Sequence, residues 1–158
     1  MFQTRAYTTA LLSSVRDWRS LPDDVAAAVQ VRMDRQRIVR EGVRTFALVV
    51  EESVLRYRIG GSETMGDQLR HLRSLATLPG VSLGVIPHAV DRTALRPVES
   101  FWIYDEAQVG VELVSAFLTI TQPREISLYA QTFGMLSDQA VYGADARALI
   151  ASALDSLG

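Results

Sequence analysis

A single domain of mixed α+β or α/β class is predicted, with helices packed around a central, mostly antiparallel sheet of four or five strands. Three observations predict it. Apolar residues recur at helical spacing toward both ends of the chain. Short apolar or alternating runs, bounded by turn residues, fill the middle. The 158 residues, 48% hydrophobic and 22% charged, match one ordinary domain able to bury a core without covalent staples.

The spacing of Tyr7, Leu11, Val15 and Trp18 predicts a helix over Ala6 to Trp18. Ser20-Leu21-Pro22-Asp23-Asp24 reads as the start of a second helix. Serine can cap, proline fits the first turn, and acids suit the positive helix end. That helix should run to about Glu41 and stop at Gly42. Phe46 to Val50 is a continuous apolar run, the pattern of a strand buried on both faces. Ser53 to Ile59 fits either an edge strand or a helical turn, and Gly60-Gly61-Ser62 a turn and a cap. Met65, Leu69, Leu72, Leu75 and Leu78 mark a helix over Ser62 to Leu78, ended by Pro79-Gly80.

Val81 to Ile86 alternates like a half-buried strand and is closed by Pro87. A polar loop, His88 to Pro97, follows. Strands are expected over Ser100 to Tyr104, Gln108 to Leu113 and Ala116 to Ile120, the first two joined by a hairpin-sized Asp105-Glu106-Ala107. Pro123 opens a helix with Ile126, Tyr129, Phe133 and Leu136 on one face. Gly143 separates it from a last helix bearing Leu149, Ile150, Ala153 and Leu154. Neither a repeat nor a low-complexity linker interrupts the order.

Composition narrows the function. The chain contains no cysteine, which removes disulfide and thiolate chemistry and fits a reducing cytoplasm. Its net charge of −2 lacks the basic footprint of a nucleic-acid reader. No apolar run approaches the roughly 20 residues of a membrane span, and the N-terminal pattern is not that of a signal peptide.

Several segments follow one known order. Phe2 to Leu12 matches a phrase like "GLLQTRAYTRALL". Arg35-Gln36 matches an Arg-Gln pair in an arginine-rich helix. Val49 to Gly61 matches a strand and turn like "VLDEAALRRPVGG", Met65 to Pro87 a helix and strand, and Val109 to Glu112 a "VYVE" stretch. Together they resemble the uncharacterised domain that follows the helix-turn-helix in XRE-type regulators of actinomycetes, the Scr-type antitoxin-like regulators. The resemblance implies a domain that senses a ligand or binds a small partner protein, with DNA binding left to a helix-turn-helix this chain does not contain. Two stretches depart from the pattern. Phe117 replaces an acid, and Ala89 to Arg96 replaces a glycine-rich loop. If those positions line a pocket, it is more apolar than is usual in the family.

The candidate chemistry is modest. Glu51 and Glu52 close a predicted strand, where α/β folds often place ligand groups. Adjacent strand residues face opposite ways, so at most one is functional. Glu52 is chosen because it matches the family acid, against the plainer reading of an ion pair with Arg56 or Arg58. His88, at the mouth of the long loop, could be a general acid or base, or simply an exposed loop residue. His71, offset from the apolar stripe of its helix, reads as surface. Two distant histidines without cysteine do not suggest zinc, and neither metal nor cofactor is expected. Arg32, Arg35, Arg37, Arg40 and Arg44 could clamp an anion or phosphate backbone, or form a solvated helix face or a partner interface, with Asp34 and Glu41 near enough for salt pairing. Trp102, Tyr104, Glu112 and Phe117 on one open sheet face would make an apolar pocket with one acid; the alternative is ordinary core. Glycine-rich phosphate loops and nucleophile elbows are missing.

Two classes therefore stand. The first is a binding module for an apolar small molecule or a small partner protein, which leaves a homodimer open. The second is a cofactor-independent enzyme of specialised metabolism, a cyclase or isomerase, with Glu112, Glu52 or His88 as acid or base and Trp102, Tyr104, Phe117 and Arg56 around an apolar substrate.

Overall fold

The computed structural model describes residues 2–158. Five α-helices and five strands lie in the order α1 (Arg5–Arg19), α2 (Val25–Arg35), β1 (Phe46–Glu51), α3 (Gly61–Leu75), β2 (Val81–Ile86), β3 (Phe101–Tyr104), β4 (Gln108–Glu112), β5 (Phe117–Ile120), α4 (Pro123–Gln139) and α5 (Gly143–Asp155). Single 3-10 turns extend α2, over Gln36–Val39, and β1, over Glu52–Arg56. The chain forms two compact units. One runs through His88 and is completed by Val141–Gly158; the other is Ala89–Ala140.

In the first unit β1 and β2 pair in parallel, from Phe46 opposite Val81 to Glu51 opposite Ile86. Parallel neighbours need a crossover, and α3 supplies it. Leu69, Met65 and Leu72 on α3 meet Tyr7 of α1, Leu55 of the 3-10 turn, Leu83 and Val85 of β2, and Ile150 and Ala153 of α5. Gln68, also buried, completes α1's attachment. Its side chain accepts from the Thr4 N–H and donates to the Phe2 carbonyl, both at 2.7 Å. Thr4 in turn caps α1 by accepting from the Tyr7 N–H.

The second unit is an antiparallel meander, β3-β4-β5, with α4 on one face. Phe101 and Ile103 alternate inward with Val109, Val111 and Ile120 against Ile126 and Tyr129 of α4. Asp105 takes a left-handed conformation, φ 50°, at the β3–β4 turn.

A mixed α+β class is thus observed, but the expected four- or five-stranded central sheet is not. The strands divide into a parallel pair and an antiparallel three-stranded sheet. The free edge of β2 is taken by Val141, whose N–H and carbonyl exchange hydrogen bonds of 2.8 and 3.0 Å with Val85. The inward residues of β3 are satisfied by their own small core. Other expectations also shift. β1 is only partly buried, with Ala47 exposed, and not covered on both faces as its apolar run predicts. Ser20 is not the cap of the second helix: it closes α1 in the left-handed region, φ 53°, and α2 begins later, after Asp24. The ambiguous segment after Glu51 is helical, a 3-10 turn.

Candidate functional site

The residues singled out by sequence fall at two separate places. Glu52, Arg56 and His88 belong to the first unit; Trp102, Tyr104, Glu112 and Phe117 belong to the second.

Glu52 opens the 3-10 turn that follows β1 and is buried. A buried carboxylate must be paired and hydrogen-bonded. Its Oε2 accepts from the His88 backbone N–H at 3.0 Å, and its Oε1 accepts from Arg56 Nη2 at 2.9 Å. The i,i+4 spacing brings Glu52 and Arg56 together. Arg56 also reaches Ser156 Oγ, and Arg58 donates to the Ser156 carbonyl at the end of α5. This is a staple joining the ends of β1, β2 and α5. The His88 and Arg56 hydrogen bonds hold the Glu52 carboxyl below its ordinary pKa, the wrong direction for a general acid at neutral pH. The plainer reading of Glu52, an ion pair with Arg56, describes it. The His88 side chain is exposed, and the group His88 contributes is its backbone N–H.

In the second unit the register fixes the other constellation. Opposed residues of an antiparallel pair share a face. Trp102 opposes Gly110, Tyr104 opposes Gln108, and Glu112 opposes Phe117. All six therefore lie on the sheet face away from α4. Trp102 and Phe117 approach with ring centroids 6.1 Å apart and planes tilted by 33°. Gly110 makes room for them: a Cβ there would stand 2.8 Å from Phe117 Cζ and 3.5 Å from Trp102 Cε3. The face is open to solvent, unlike ordinary core. Trp102 is 39% exposed, Tyr104 46% and Phe117 57%. Glu112 is exposed beside them.

Over residues 1–152 the sequence matches the family described as a domain of unknown function, DUF5753. The chain belongs to the DUF5753 family. No curated protein and no solved structure matches it. The DUF5753 match spans both units, so Glu52, Arg56 and His88 of the staple lie in the same family domain as the aromatic face, while Ser156 falls beyond the matched residues.

Sequence reasoning missed two features of this DUF5753 domain. Gly110 stands at the tyrosine position of the "VYVE" stretch, and its role is visible only once the register places it beneath two rings. His71, expected on the surface, is half-buried at a cleft that it shares with Gln36, Arg37 and Arg40. Its offset from the leucine stripe is small enough for α2's extension to cover it. Among the described residues, no helix is long and apolar enough to cross a membrane.

Proposed function

We propose that this chain is a partner-binding module of the kind carried by XRE-type regulators of actinomycetes, working in the cytoplasm and not itself a DNA reader. One observation carries the reading: the second unit presents Trp102, Tyr104 and Phe117 together on an open sheet face. Aromatic residues are costly to leave in water and are enriched where proteins dock. An open face favours a protein over an apolar small molecule, which is held best in an enclosed cleft. Glu112 on the face, with Asp105 and Glu106 at the adjoining turn, suits a small partner protein whose apolar patch has a basic rim. The enzyme alternative draws no support from its acids. Both oxygens of Glu52 are engaged in the staple, and Glu112 and His88 are exposed.

The test is photocrosslinking in cells of the source organism. A benzophenone amino acid is placed at Trp102 or Phe117, with Arg147, an exposed residue of the other unit, as control. The reading expects a discrete small protein joined at Trp102 and Phe117 but not at Arg147. Binding of that purified protein should fall about tenfold or more in Trp102→Ala. Equal binding by Trp102→Ala and the parent, or no product above control, overturns it.

A further inference from the structure

The arginines of the α2 extension are not used by the aromatic face or by the staple. Arg37 and Arg40 border a cleft of about 160 Å³ between that extension and α3, with Gln36 and His71 beside them and Val39 and Leu75 as an apolar floor. Arg37 is paired with Asp34 at 3.1 Å. Arg40 makes no ion pair among the described residues. We propose that this cleft is a binding site for a small organic carboxylate with an apolar body about the size of one benzene ring, its carboxylate held by Arg40 and its body on Val39 and Leu75.

Three features support the assignment. The size is right, since a cavity of about 150 Å³ accommodates benzene. The composition is right: an apolar floor with a few convergent polar groups is the usual make-up of a small-molecule site, and a guanidinium matches a carboxylate fork. The donors are complementary. Burial, with the charge of Arg40, holds the His71 imidazole below its ordinary pKa, so the neutral ring retains one N–H to donate. The Gln36 amide, which donates a weak hydrogen bond to Met33 Sδ, adds another donor. Phosphate alone would leave the floor in water, and an uncharged aromatic would leave Arg40 unmatched. The site lies wholly in the first unit and is independent of the proposed partner face.

The experiment titrates the intact protein with benzoate, benzyl alcohol and inorganic phosphate, following the His71 ring resonances by NMR. His88→Asn identifies them. Benzoate is expected to give a saturable shift in the millimolar range, with phosphate and benzyl alcohol each at least about tenfold weaker. Arg40→Gln should weaken benzoate about tenfold or more, whereas Arg147→Gln should leave it unchanged. Arg40 is exposed, so Arg40→Gln should keep the parent's thermal midpoint, which separates lost binding from lost fold. No saturable shift with benzoate, or undiminished affinity in Arg40→Gln, overturns the site. Benzyl alcohol as strong as benzoate overturns the carboxylate assignment, and phosphate as strong as benzoate overturns the apolar body.

Discussion

Glu52 accepts a hydrogen bond from the backbone N–H of His88, 36 residues further along the chain, at 3.0 Å. That N–H has no ladder partner of its own, because β2 ends at Ile86. The carboxylate therefore terminates the strand chemically, and its second oxygen locks Arg56 into the same joint. The result is a buried charge whose acceptor capacity is met on both sides, the condition under which burying it is tolerable.

Removing that carboxylate should be expensive. Glu52→Ala leaves the His88 N–H and Arg56 without their acceptor, and a loss of about 2–3 kcal/mol is expected. Glu52→Gln keeps one acceptor but turns an amide N–H toward one of two donors, so a loss of at least about 1 kcal/mol is expected. Urea unfolding measures both. A change within about 0.5 kcal/mol of the parent for each, as for an ordinary surface position, would remove the staple from the account.

Acid should undo the same joint. The folded-state pKa of Glu52 lies below its ordinary value of 4.5, first through the His88 N–H and then through Arg56. Between the unfolded and the folded pKa the unfolded chain binds more protons, so stability falls as pH falls. The contribution of Glu52 is thus complete above about pH 4.5 and is lost as pH drops through the folded value. Unfolding free energies measured at neutral pH and down through the acid range should show a smaller acid loss in Glu52→Gln than in the parent. Parallel curves would contradict the assignment.

Much of this was legible in the residues. β2 has the bounds its alternation gave, but it is not half-buried as expected: all of its residues except Ser82 are buried. β3 to β5 are each within a residue or so of their predicted ends, and Pro123 opens α4. Periodicity reports which face a strand buries but not which strand lies beside it, so the division into two sheets was not readable. Neither was Ser20: serine suits a helix start as well as the left-handed position it occupies. The Glu52–Arg56 pair was readable from i,i+4 spacing, whereas the His88 bond depends on where β2 ends in space. The shared face of Trp102 and Tyr104 followed from alternation. Its exposure did not, since alternation is the same whether the outer face is covered or bare.

Core and face should respond oppositely to truncation. Leu69 is fully buried between α1, β2 and α5, and Leu69→Ala is expected to cost about 2–5 kcal/mol. Phe117 is more than half exposed, and Phe117→Ser should cost under about 1 kcal/mol, the scale of one aromatic pair. Thermal or urea unfolding of the two variants decides this. Comparable losses would mean that the aromatic face is held for stability and is not kept free for a partner.

Gly110 offers the sharpest test of the face itself. Its added methyl in Gly110→Ala would meet the tip of the Phe117 ring at 2.8 Å, closer than van der Waals contact permits. The ring is exposed and turns about its own side-chain bonds, so it should swing off the sheet at little cost in stability, within about 1 kcal/mol. The tilted contact with Trp102, 6.1 Å between centroids, would then be lost. In a Trp18→Phe background Trp102 is the sole tryptophan. Its fluorescence and near-ultraviolet circular dichroism in Gly110→Ala should move toward those of Phe117→Ala. If Phe117→Ala alters the Trp102 signal and Gly110→Ala does not, the glycine does not seat the rings, and the arrangement of the face has another cause.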